Sequence, residues 1–199
     1  MTREFIDWDS PPFKEEAGTP NAMAAATMVA AVKMLDEVGL DFIHRYEHNL
    51  ISYAIDGLRS IPGIELYSCC EQNEKRVSLI SFIMQGIHHK MLADILSAEA
   101  AIAVRNGLFC AHPYVERLLK LSNADINYYY NNPNARFPGL VRISLGIYNN
   151  YHEIDILLAL LNDIARNKSY YKQKYSQNCQ TRVDSLYQEW LAAPRRRLP

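Results

Sequence analysis

The sequence predicts an α+β fold: a short, mostly antiparallel sheet with helices packed against one face. Three observations carry this. Two helical patterns open the ordered part of the chain, short β-rich runs follow from about residue 65, and further helices alternate with those runs. At 199 residues the chain can bury one sizeable core and is too short for two domains of ordinary size.

The elements follow in order. Residues 1–20 are irregular, because Pro11-Pro12 and Pro20 forbid a continuous helix and Gly18-Thr19-Pro20-Asn21 is turn chemistry. Trp8 and Phe13 lie there without a periodic face, so they need a surface supplied by something else. Asn21 is a good N-cap, and AMAAATMVAAVKMLDEV has no breaker before Gly39, which predicts a helix over 21–38. That helix is apolar nearly all round and is expected between other layers. Gly39 separates it from a second helix over 41–59, where Phe42, Tyr46, Leu50, Tyr53 and Leu58 recur near i, i+4 spacing.

Pro62-Gly63 then turns the chain into strands 65–68 and 76–82, the second rich in Val77, Leu79, Ile80 and Phe82. A helix over 88–98 and a strand over 101–105 come next. Pro113 suits the first turn of a short helix reaching Leu119. SNADINYYYNNPNARFPG is full of turn residues and reads as an inserted surface loop. A strand over 140–145 precedes a helix over 150–165, with Ile154, Leu157, Leu158 and Leu161 as its apolar face. Residues 168–199 read as a polar tail with one short helix over 183–190.

Composition removes several function classes. Hydrophobic residues at 49% and charged residues at 22% are ordinary for a globular protein, and a net charge of -1 gives no basic excess for nucleic acid. The run Arg195, Arg196, Arg197 reads as a solvated end. No apolar run approaches the roughly 18 residues of a membrane helix, and MTREFIDWDS lacks the pattern of a signal peptide, so a cytoplasmic protein without membrane partners is expected. Four sparse cysteines, Cys69, Cys70, Cys110 and Cys179, argue against a disulfide framework and fit reduced thiols. No metal is expected, because His88-His89, Cys69-Cys70 and the Cys110/His112 pair lack ligand spacing. The histidine pair reads as solvated.

Three segments carry possible chemistry. In AVRNGLFCAHP a strand ends on Arg105 and Gly107 lets the loop bend to present Cys110. A cation near a thiol favours the reactive thiolate, yet lone cysteines are often buried fillers, so Cys110 is open to both readings. In GLVRISLGIYNN, Arg142 sits in an apolar strand, where its planar fork needs either an internal carboxylate or one from a substrate. EEAGTPNA leads into a helix N-terminus suited to an anion, with the Thr19 hydroxyl beside it.

In this order and spacing, EEAGTPN, AVRNGLFCAHP and VRISLGIYNNYHEIDILLALL resemble the C-terminal part of the class V aminotransferase family, most closely its cysteine desulfurase branch. The resemblance spans residues 12–166. It implies the small C-terminal domain of a fold type I enzyme dependent on pyridoxal phosphate (PLP), working as a homodimer. By this resemblance Cys110 is the nucleophile that takes sulfur from a cysteine substrate as a persulfide, leaving alanine. Arg142 pairs with the substrate carboxylate, Arg105 is a second arginine at that end of the site, and Thr19 reaches the cofactor phosphate of the other subunit. A sulfur-acceptor protein is the further partner.

The family's cofactor lysine sits in a Ser-x-His-Lys context upstream of the GTPN turn, and no lysine here has that setting. A chain inactive by itself is therefore expected, in which 1–20 is a linker remnant against a missing large domain or dimer partner and 21–167 is the small domain. Leu108 and Phe109 stand where desulfurases often carry histidines, and this apolar flank opposes thiolate formation. An aminotransferase or lyase acting on another amino acid, or a non-catalytic docking subunit, are the other readings.

Overall fold

The structure, a computed structural model, describes residues 8–16, 18–67, 77–132 and 135–176. It divides into two units, Met1–His44 and Arg45–Pro199. In the first, Phe13–Glu15 forms a 3-10 turn and α1 spans Ala22–Val38. The expected cap is present, as the Asn21 side chain accepts a hydrogen bond from the Ala24 N–H at 3.0 Å. Gly39, at φ +91, ends the helix by returning its N–H to the Leu35 carbonyl. Within this chain no residue of α1 is buried, and Met23, Met28 and Val32 lie more than half exposed at 79%, 66% and 57%.

Helix α2 spans Leu40–Arg59 and carries its apolar stripe in the second unit, where Leu50, Ile51, Ala54, Ile55 and Leu58 are buried at helical spacing. The sheet that follows comprises β1 (Ile64–Leu66), β2 (Leu79–Met84), β3 (Arg105–Gly107) and β4 (Leu140–Ser144). Its order is β1-β2-β4-β3 with every neighbouring pair antiparallel. Alternation sends Ile80, Phe82, Met84, Val141 and Ile143 into one core. Helices α2, α3 (His89–Ala100) and α6 (Tyr151–Arg166) supply the rest of that core, from Leu92, Ile95 and Leu96 to Ile154, Leu157 and Leu161. The predicted α+β architecture, with helices on one face, is the one found.

Four expectations change. The strand placed at 101–105 begins only at Arg105, because Ala101 takes a left-handed φ of 54 at the end of α3 and Ile102 returns its N–H to Leu96. The strand placed at 76–82 is Leu79–Met84, since its partners run from Ser144 of β4 to Ile64 of β1; Arg76 lies outside the described residues. The supposed loop after Leu121 contains helix α5, Asn123–Asn131, behind the short helix α4, His112–Leu118. A capping box starts α5: the Ser122 hydroxyl accepts from the Asp125 N–H, and the Asp125 carboxylate accepts from the Ser122 N–H. Ser-x-x-Asp outweighed the asparagines and tyrosines behind it.

The supposed polar tail starts as a helix, α7, over Lys168–Ser176; the helix expected over 183–190 lies outside the described residues. Tyr171 is 6% exposed and donates to Asp163 at 2.6 Å, which pushes its phenol up to about 12. Lys174 and Tyr175 both donate to Glu99 at the end of α3, each at 2.6 Å. These two hydrogen bonds, Lys174 first, hold the Glu99 carboxyl below its usual range. A depressed carboxyl stabilises the fold above the ordinary glutamate value, about 4.3, and the contribution disappears as pH falls through the lower folded value. The protection of α7 amides, their exchange measured against the intrinsic rate at each pH, should fall below about pH 4, and Glu99→Gln should flatten that dependence.

Candidate active site

The last strand among the described residues, β4, inserts between β2 and β3, and this sets the site. In register, Arg142 faces Ser81 on one side and Arg105 on the other. Directly opposed residues of an antiparallel pair share a face, so two arginines stand side by side on the face away from the core. Like charges so placed repel, at a cost on the order of 0.2–1 kcal/mol. The Arg142 Nε is buried and has no hydrogen-bond partner. A buried donor without an acceptor costs about 1–3 kcal/mol. Arg105, on the edge strand, is exposed.

The loop leaving β3 brings the thiol to the same place. Gly107 has φ +97, then Phe109 and Cys110 take φ 56 and 60, and the Ala111 N–H closes the turn on the Leu108 carbonyl at 2.8 Å. Successive left-handed residues without glycine cost of order 1 kcal/mol each. In return, the Phe109 ring lies over the Arg142 guanidinium, 5.2 Å from its carbon, as a cation–π contact. Cys110, the next residue, is an exposed free thiol. Thr19 is exposed on the turn before α1, in the first unit.

Sequence reading missed the histidines. His88 and His89 are half-buried, with ring centroids 4.0 Å apart, and both direct Nε2 at the Phe137 carbonyl, at 3.0 and 3.1 Å. His88 Nδ1 accepts the Lys90 N–H, so its proton sits on Nε2 and donates to Phe137. Burial pushes the His88 ring below its ordinary value, with the neighbouring His89, Arg136 and Lys90 adding to the effect and the Phe137 carbonyl opposing it. His89 Nδ1 lies 2.9 Å from the Asn106 side-chain oxygen. No spacing rule announces these contacts, because their partners lie 17 and 48 residues away. A β-carbon at Gly139 would stand 2.7 Å from the Gly107 Cα and 2.8 Å from His89 Cδ2. Gly139→Ala should therefore lower stability by about 1–3 kcal/mol, read as a drop in the urea midpoint.

The profile of the class-V aminotransferases matches residues 2–157, and the chain belongs to that family. Within it, the chain is 33% identical over 135 residues to a probable cysteine desulfurase of Halalkalibacterium halodurans, covering 68% of this chain and 32% of the relative. It is also 33% identical to a cysteine desulfurase of Escherichia coli, covering 82% of this chain and 35% of the relative. The apo cysteine desulfurase from Thermococcus onnurineus superposes with a TM-score of 0.64 at 27% identity, over 83% of this chain and 36% of that one. The cysteine desulfurase CsdA (S-sulfonic acid) of Escherichia coli gives 0.59 at 27%, over 83% and 35%. The chain thus spans about a third of the length of the relatives it matches. Among the described residues no helix is long and apolar enough to cross a membrane.

Proposed function

We propose that this chain supplies the carboxylate anchor and the sulfur-taking thiol of a cysteine desulfurase. The observation that carries the reading is the exposed Cys110 one residue from the ring that covers Arg142, whose buried Nε waits for an acceptor. Arg142 holds the substrate carboxylate through its fork, and Arg105 adds the second positive charge that repels Arg142 when no anion lies between them. The Cys110 thiolate forms an S–S bond with the sulfur of the bound cysteine. The C–S bond breaks with its electron pair left on the substrate carbon, a proton takes that pair to give alanine, and Cys110 keeps the sulfur as a persulfide.

Family membership implies PLP in the complete protein, where it supplies the sink for that electron pair. The described residues do not build a holder for it: Thr19 offers one exposed hydroxyl toward a phosphate, and the orphaned donor, Arg142 Nε, suits a carboxylate. The exposed apolar side chains of α1 support a covering body, read as the large domain or a second copy in a cytoplasmic homodimer. The exposure of Cys110 supports handing its sulfur to an acceptor protein.

The test supplies the chain with the cofactor-bearing region of a cysteine desulfurase and L-cysteine. Alanine should form with one sulfur per turnover, and peptide mapping should find a persulfide on Cys110. A Cys110→Ser protein that turns over normally would instead favour the aminotransferase or lyase reading, which the apolar Leu108-Phe109 flank also suits.

A further inference from the structure

The two arginines share a face only while β3 keeps its register on β4, and that pairing is three residues long on an edge strand. A slip of one residue would send Arg105 to the core face. Repulsion between Arg105 and Arg142 works against the register that the site needs. Something must hold the seam.

His89 sits at the end of that seam. Its ring lies against Gly107, the last residue of β3, and Gly139, the residue before β4; a β-carbon at either position would meet it, at 3.8 and 2.8 Å. Both ring nitrogens are used. Nε2 donates to the Phe137 carbonyl on the segment entering β4, and Nδ1 lies 2.9 Å from the side-chain oxygen of Asn106 in β3. Asn106 alternates with Arg105, so the bond grips the core face of β3 while the arginine lies on the other. Phe137 is itself fixed, its ring packed on Tyr129 and Tyr130 of α5 at centroid distances of 5.0 and 5.6 Å.

We propose that His89 is a positioning residue that staples β3 to the entry of β4 and so sets Arg105 beside Arg142. The staple itself is a statement about register; its value for a carboxylate rests on the function proposed above. The full chain with isotope-labelled arginine and backbone gives both readouts by NMR. His89→Ala should lose the cross-strand contact between the backbone protons of Arg105 and Arg142 while the Phe82–Val141 contact of β2 and β4 survives. Its affinity for propionate, read at the Arg142 Nε–H, should fall about tenfold, the weight of one charge-assisted hydrogen bond. His89→Gln, whose side-chain amide keeps a donor for the Phe137 carbonyl, should restore part of each. An intact Arg105–Arg142 contact in His89→Ala would overturn the staple. If that variant unfolds, Asn106→Ala removes one arm alone and is judged by the same contact. Failure of the wild-type chain to respond to propionate would count against the carboxylate reading and leave the register test standing.

Discussion

Arg142→Leu should make the second unit more stable, by about 1 kcal/mol, while removing its hold on a carboxylate. The gain has two sources. The change deletes a buried Nε that has no acceptor, and it ends the opposition of two positive charges across β3 and β4. Part of it is given back where the arginine stem packed and where Phe109 covered the guanidinium. Binding moves the other way: loss of a two-pronged charged contact should weaken propionate by roughly 10- to 100-fold. Urea unfolding and an NMR titration on the same samples read the two effects. Arg142→Lys keeps the charge without the fork, so it should bind weakly and gain no stability. A destabilised Arg142→Leu protein would mean that the guanidinium is already satisfied within the chain and that no outside acceptor is called for.

Cys110→Ala should abolish persulfide formation altogether and leave the unfolding midpoint within about 0.5 kcal/mol of the wild type, because the side chain is exposed. The position also separates chemistry from backbone strain. Cys110→Gly removes the same thiol but suits φ 60, so it should unfold later, by about 0.5–1 kcal/mol, while being equally inert. Sulfur found on another residue in either variant would take the nucleophile's role away from Cys110.

Local signals in this chain were legible wherever a few neighbouring residues settle the backbone. Asn21 capped α1, Gly39 divided α1 from α2, and Asn150 opened α6 with its own capping box to Glu153. The alternation in β4 put Arg142 on the face opposite Val141 and Ile143, as an arginine in an apolar strand requires. Even the missed helix α5 had its Ser122–Asp125 signal in the sequence, hidden by the turn residues around it.

The motifs alone singled out Thr19, Arg105, Cys110 and Arg142, and the family to which their order points. What they could not decide was adjacency. Two arginines 37 positions apart oppose each other because the last strand enters between two earlier ones; strand order is settled by the whole core, not by any window of sequence. The same folding turns the Phe109 ring onto Arg142 and brings His89 to the seam between two glycines. Hydrophobic periodicity says which face of a strand is buried. Only closure of the sheet says which polar side chains then meet on the other face, because those contacts follow from register between strands distant in sequence.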